Sequence, residues 1–403
     1  MNETDNVVPK TDPGPGSISD REAVAGAGPT HATSHPPQPQ LPANLDLTKP
    51  LETASDNTGL PWYNPHGWSL RTRLILAAVC LVAIIGIIVG AVEGSKASRY
   101  PDYSPLNYHL VTSYTGRDFF DQFHYFDEED PTDGFVRYVD RGTAQRLNLT
   151  YATETSAILR VDSDSSTANV TRGRNSVRIE SKQTYDTGLF VFDIIHSPYG
   201  CGTWPALWLT DGYNWPYNGE IDVLETTNNA TDGNAVTLHT TSGCNMDVKR
   251  KQLGSSTYST CDNSTNGNAG CGVQGPPLTY GKQMNKLGGG IYALELRDAG
   301  IRAWFFPRSY APPDLRNGST TPDPSTWGTA LADFPNTSCD IPTYFKNQSI
   351  IANIDLCGSW GGSEAVYSEQ WGCPGNCTQF VSRYPEMFKS AYWEFGGFWV
   401  YQA

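Results

Sequence analysis

The chain has 403 residues, with 42 acidic against 28 basic side chains and a formal charge of −14. That balance excludes a nucleic-acid partner, which needs a basic face to meet phosphates. The length admits two or three average domains, but a single β-sandwich also runs past about 200 residues, so the elements themselves must decide.

Residues 1–60 contain no Phe, Trp or Tyr and are rich in Pro, Ser, Thr, Asp, Gly and Ala. So little apolar surface cannot offset chain entropy, which predicts a disordered tail over 1–70. From Leu74 to Val92 the sequence reads LILAAVCLVAIIGIIVGAV without a charge. As a helix it spans roughly 28 Å, close to the hydrocarbon thickness of a bilayer. It starts too far from the N-terminus for a cleaved signal peptide, so an uncleaved signal anchor is expected over 74–92, with Trp62, Tyr63 and Trp68 as an interfacial belt. Residues 93–102 read as a linker.

Charge does not orient this helix, since Arg71 and Arg73 on one side are balanced by Lys96 and Arg99 on the other. Cys201, Cys244, Cys261, Cys271, Cys339, Cys357, Cys373 and Cys377 all follow it, an even set suited to as many as four disulfides in an oxidising compartment, while Cys80 lies in the apolar run. Glycosylation acceptors stand at Asn148, Asn169, Asn229, Asn263, Asn317, Asn336, Asn347 and Asn376. The expectation is a single-pass type II membrane protein with a cytoplasmic tail and a lumenal or extracellular domain over 103–403.

That domain reads as all-β. Short runs such as SVRIESK from Ser176, GLFVFDII from Gly188, AVTLHTT from Ala235, YALELR from Tyr292, IRAWFFP from Ile301, SIIANIDL from Ser349 and FGGFWVYQ from Phe395 carry β-branched and aromatic residues between turn formers. No repeat of 20–50 residues points to a propeller or solenoid. A large antiparallel sandwich is expected.

The candidate chemistry lies in GEIDVLE, Gly219 to Glu225. Regular alternation puts Glu220 and Asp222 on one face and Glu225 on the other; a β-bulge near Val223 or Leu224 brings all three carboxyls together. Crowded carboxylates cost free energy. A retaining glycosidase uses such a pair at about 5–5.5 Å, one to attack the anomeric carbon and one to protonate the leaving oxygen. On that reading Glu220 attacks, Glu225 is the acid/base and Asp222 separates their pKa values. An exposed acidic edge strand and an oxygen-ligand calcium site remain the alternatives at this point. Nearby, Trp204 and Trp208 in GCGTWPALWLT are candidate platforms for sugar rings, and His239 in VTLHTTSGC is placed to face the carboxylates.

With these blocks in order, FFDQFHYF, DPTDGFVRYVD, SVRIESKQTYDTGLF, GCGTWPALW, NGEIDVLE, LHTTSGC, DLCGSWGG and AYWEFGGFWVY, the region from about Tyr103 to Ala403 resembles glycoside hydrolase family 16, in particular its fungal endo-1,3(4)-β-glucanase, laminarinase-like branch. The resemblance implies a concanavalin-like β-jelly roll with an open β-glucan cleft. It maps the nucleophile onto Glu220, the helper onto Asp222 and the acid/base onto Glu225, and cleft contacts onto Trp204, Trp208, His239 and Trp360. It implies hydrolysis of β-1,3 or mixed β-1,3/1,4-glucan, with wall transglycosylation or glucan binding without turnover as alternatives. The ExDxxE spacing matches the bulged glucanase type. No cofactor is required on this reading; a structural calcium ion stays open, and the active site has no metal.

Overall fold

A computed structural model describes residues 67–403 except Asn317. Nearly all of the expected tail, with Trp62 and Tyr63, lies outside the described residues. The apolar run forms one helix, Leu70–Ser98, extending the 74–92 segment at both ends. Its stretch Leu70–Val92 is long and apolar enough to cross a bilayer, and none of it is buried.

The segment read as a linker, 93–102, is helical to Ser98 and docked from Tyr100 onward. Tyr100 and Tyr103 donate their hydroxyls to the two carboxylate oxygens of Asp333, at 3.0 and 3.2 Å. Lys251 Nζ lies 4.0 Å from the Tyr100 ring and the Arg302 guanidinium 4.0 Å from the Tyr103 ring. A buried carboxylate needs such donors. Partners 230 or more residues apart leave no local trace in sequence.

The rest is a jelly-roll sandwich of two eight-stranded antiparallel sheets. The first runs from edge to edge through Ser255–Ser256, Cys271–Gln274, Ala235–His239, Glu220–Glu225, Thr203–Thr210, Gln348–Leu356, Arg178–Tyr185 and Phe123–Phe126. The second runs through Ala332–Pro335, Gly300–Pro307, Gly290–Arg297, Gly188–His196, Tyr392–Gln402, Ala157–Arg160 and Thr150–Ala152, with His109–Tyr114 also pairing along Tyr392–Gln402.

Period-two alternation fills the space between the sheets. Leu207, Leu209, Ile221, Ile350, Ala352 and Ile354 come from the first sheet, and Phe190, Phe192, Leu294, Leu296, Phe398 and Val400 from the second, all fully buried. Burial of each larger side chain contributes about 1.5–3 kcal/mol. The second sheet is also covered outside, where Leu189, Val191, Ile291 and Trp304 pack with Leu315 and Trp327 from the 311–330 connection. The first sheet instead lines its outer face with polar and aromatic groups.

All eight downstream cysteines pair, as Cys201–Cys373, Cys244–Cys339, Cys261–Cys271 and Cys357–Cys377; among the described residues Cys80 is free. Two of these pairs, Cys357–Cys377 and Cys201–Cys373, tie down the 357–377 connection that carries Trp360.

Candidate active site

The strand Glu220–Glu225 is central in the first sheet, between Thr203–Thr210 and Ala235–His239. It opens on Gly219, whose φ of +69° favours glycine and whose Cβ would stand 2.5 Å from the Tyr344 carbonyl oxygen. Register is regular from Glu220↔Thr210 to Asp222↔Trp208, then jumps to Leu224↔Leu207. Val223 is thus the extra residue. Against the other neighbour the pairing passes from Asp222↔Thr237 to Glu225↔Ala235. Ile221, Val223 and Leu224 all enter the core, so Glu220, Asp222 and Glu225 share the outer face.

Burial then differentiates the carboxyls. Asp222 is 2 % exposed, whereas both glutamates keep part of their surface accessible. Trp204 Nε1 donates to Glu225 Oε1 at 2.8 Å, and Trp215 Nε1 donates to Glu220 Oε2. Burial pushes the Glu225 carboxyl up to about 7, aided by the charge of Glu220 and opposed by the Trp204 hydrogen bond and by His239. Asp222 is raised well above the carboxylate range by burial and by both glutamates, with His239 opposing.

His239 lies directly across from Glu220. Its Nε2 is 3.3 Å from Asp222 Oδ2, and its Nδ1 lies 2.9 Å from Asn268 Oδ1, so a protonated ring donates there. Burial alone would lower its pKa, but the contact with Asp222 and the three nearby carboxyls raise it to about 10. Asp222 and His239 pull in opposite senses. For Asp222 burial is the largest influence and prevails over His239; for His239 the contact with Asp222 and the neighbouring carboxyls outweigh burial. Asn268 itself sits in the loop closed by Cys261–Cys271.

Ligand atoms of Glu220, Asp222 and His239 fall within 4.8 Å of one another, the geometry of a metal cluster. A cation there would need His239 deprotonated, and its Nε2 stands 3.3 Å from Asp222 Oδ2.

Aromatic groups flank the carboxyls. Trp208, across from Asp222, donates Nε1 to Asn353 Oδ1 at 2.8 Å and has the Arg178 guanidinium over its ring at 5.0 Å. Trp204 meets Trp360 edge-on, centroids 5.5 Å apart, and Trp360 is 38 % exposed. The structure thus brings Trp204, Trp208, His239 and Trp360 to the carboxylate face or its border.

Two groups escape sequence reasoning. Trp215 lies in the 211–219 connection, which Asp211 knits together by accepting from Asn214, Asn218 and Asn347 side-chain amides at 2.8, 2.8 and 3.0 Å. The NWPYNG run before GEIDVLE is the only local hint of it. Asn234, fully buried, accepts from Glu225 N and donates to Val223 O, both at 2.8 Å. No spacing motif marks it.

A two-sheet jelly roll with paired glutamates among tryptophans on one outer face defines a carbohydrate-active enzyme of the β-sandwich class. The pattern of the XgeA-like catalytic domain of glycoside hydrolase family 16 matches residues 123–401, and the chain belongs to that family. It is 46 % identical over 308 residues to a probable glycosidase of Schizosaccharomyces pombe, covering 75 % of this chain and 71 % of that protein. It is 39 % identical over 310 residues to an endo-1,3(4)-β-glucanase of Emericella nidulans, covering 74 % of this chain and 48 % of that one, so it spans about half the length of that relative. Among solved structures it superposes on laminarinase 16A of Phanerochaete chrysosporium, which holds β-glucans in donor and acceptor sites, with a TM-score of 0.71 and 44 % identity over 74 % of this chain and all of the other. An elongating family 16 β-1,3-glucosyltransferase gives a TM-score of 0.68 and 39 % identity, covering 73 % of this chain and all of the other.

Proposed function

We propose that the chain is a retaining endo-glycosidase acting on β-1,3 or mixed β-1,3/1,4-glucan. The observation that carries the reading is the bulge that turns Glu225 onto the face of Glu220 and Asp222, with its carboxyl pushed up to about 7. Glu220 attacks the anomeric carbon as a carboxylate while the proton of Glu225 passes to the glycosidic oxygen, breaking the C–O bond and leaving a glycosyl ester on Glu220. Glu225, now ionised, takes a proton from water, whose oxygen displaces Glu220 and restores the starting configuration. Asp222, favouring its neutral form, donates a hydrogen bond that stabilises Glu220 when it leaves. Trp204, Trp208 and Trp360 offer ring faces or edges to pyranose CH groups, with His239 holding Asp222 beside the cleaved bond. No cofactor enters this cycle.

Glu220→Gln tests the assignment: turnover of laminarin should fall by about 10⁴-fold or more while laminarin binding stays measurable. Retained turnover would overturn it.

A second reading, transfer of the glycosyl group to a sugar hydroxyl instead of water, is favoured by the likeness to the elongating glucosyltransferase. Products longer than a defined laminari-oligosaccharide donor would establish it.

We further propose that the chain is a type II membrane glycoprotein whose catalytic domain works outside the cytoplasm, at the cell surface or wall. The unburied helix Leu70–Val92 supports an anchor, and four disulfides support an oxidising compartment. Among the acceptor asparagines, Asn148, Asn169, Asn229, Asn336, Asn347 and Asn376 are exposed and Asn263 is half-buried; Asn317 lies outside the described residues. Protease protection of the domain in sealed microsomes, with endoglycosidase-sensitive mobility, checks both points; digestion without detergent would reverse the topology.

A further inference from the structure

We infer that Asn234 is a positioning residue for the acid/base: its side-chain amide plugs the gap that the bulge opens in the sheet, and so holds Glu225 on the catalytic face. The inference rests on the reading of Glu225 as the acid/base.

A bulge interrupts the ladder, leaving backbone groups beside the extra residue without strand partners. Here the gap lies between Asp222↔Thr237 and Glu225↔Ala235. The amide of Asn234 fills it as a peptide unit would: Oδ1 accepts from Glu225 N and Nδ2 donates to Val223 O, each at 2.8 Å. Both contacts bracket Leu224, the residue where a regular strand would resume its alternation. Without them, the strand regains its ladder by closing the bulge, which turns Glu225 toward the core beside Ile221 and Val223.

Asn234 is itself clamped. Its N–H donates to Thr279 Oγ1 at 2.8 Å, and its carbonyl accepts from Gly275 N at 2.8 Å and from Gln274 Nε2 at 3.2 Å. The preceding Gly233 has a φ of +105°, and a Cβ there would come within 2.3 Å of the Pro276 carbonyl oxygen. Buried Asn is costly unless fully paired, and here both ends of its amide are committed to the backbone of the catalytic strand.

The distinguishing test uses leaving-group dependence. A misplaced general acid penalises a poor leaving group, which needs protonation, far more than a 2,4-dinitrophenyl glycoside, which leaves unaided. For the full-length chain in detergent, Asn234→Ala should lower kcat/KM on laminarin by about 10²-fold and on 2,4-dinitrophenyl β-laminaribioside by less than about 10-fold. Asn234→Asp, of nearly identical shape but unable when ionised to donate to Val223 O, should show the same split and is read out if the alanine variant fails to fold. Equal losses on both substrates, or wild-type rates, would overturn the inference. Glu225→Ala on the same pair separates the two premises: if it shows no leaving-group split, the acid/base reading has failed instead.

Discussion

Replacing Trp204 by Phe keeps the ring that meets Trp360 but removes the indole N–H that Glu225 accepts at 2.8 Å. A hydrogen bond to a charged acceptor is worth about 1.5–3 kcal/mol and one to a neutral acceptor about 0.5–1.5 kcal/mol. The ionised form of Glu225 therefore loses on the order of 1 kcal/mol more than its acid form, a rise of about 0.7–1 pKa unit. The sign follows from the balance at Glu225: burial and Glu220 raise it to about 7, and Trp204 is the leading group that lowers it. Removing a lowering group keeps the proton on to higher pH. With Glu225 as the proposed acid, its protonated form serves the leaving oxygen, and the alkaline limb of kcat/KM on laminarin should move up, to about pH 8. The assay is kcat/KM across roughly pH 4 to 9 for both proteins, with circular dichroism to confirm the fold. A limb that stays in place or moves down would refute this account of Glu225.

Three further outcomes are expected. Asp222→Asn should stabilise the protein near neutral pH while lowering kcat at least about tenfold. The raised pKa of Asp222 means the native state holds its proton more tightly than the unfolded chain, so the burden on stability is absent below about pH 4 and grows as pH rises. A Tm gain present at pH 7 and absent at pH 4 checks this; no gain at neutrality contradicts it. Tyr103→Phe removes a donor from the fully buried Asp333, and should cost about 1–2 kcal/mol, or a Tm drop of roughly 2–6 °C, with kcat unchanged. Treatment with EDTA should leave turnover within about twofold, since the proposed double displacement uses carboxyls alone; reversible loss restored by a divalent cation would place an ion among Glu220, Asp222 and His239.

Features tied to short spacing could be read from sequence, and those tied to long-range packing could not. Seven expected strands exist, because alternating apolar residues between turn formers leave few other ways to bury them. Their ends shift where pairing intervenes. The strand expected from Ser176 starts at Arg178, since Ser176 belongs to the short parallel pair Arg174–Ser176 with Val136–Tyr138. The strand from Ala235 stops at His239, because Thr240 turns to bond Cys261 O. The bulge was readable for a chemical reason: only an extra residue reconciles ExDxxE with convergent carboxyls. What holds the bulge was not, since Asn234 looks like any turn asparagine in TDGNAV. Trp215 was hidden likewise, inside a connection whose shape depends on Asp211 and on Asn347, 136 residues away.

The crowding that first marked the strand is resolved by charge, not by distance. Three ionised carboxylates on one partly dry face would repel strongly. Asp222 and Glu225 are both pushed toward their neutral forms, and His239 is held cationic at about 10. On the proposed mechanism one carboxyl must attack while another holds a proton, and the upward push on Asp222 and Glu225 fits that division of roles. On that mechanism Glu220 becomes esterified as Glu225 gives up its proton, so the negative charge moves along the strand while the sum is unchanged. His239 faces the Glu220 end through Asp222 and also lowers Glu225, which lets one fixed cation serve both stages. The imidazole is pinned from behind by Asn268 within a disulfide-closed loop, which keeps its position fixed relative to both glutamates through such a cycle.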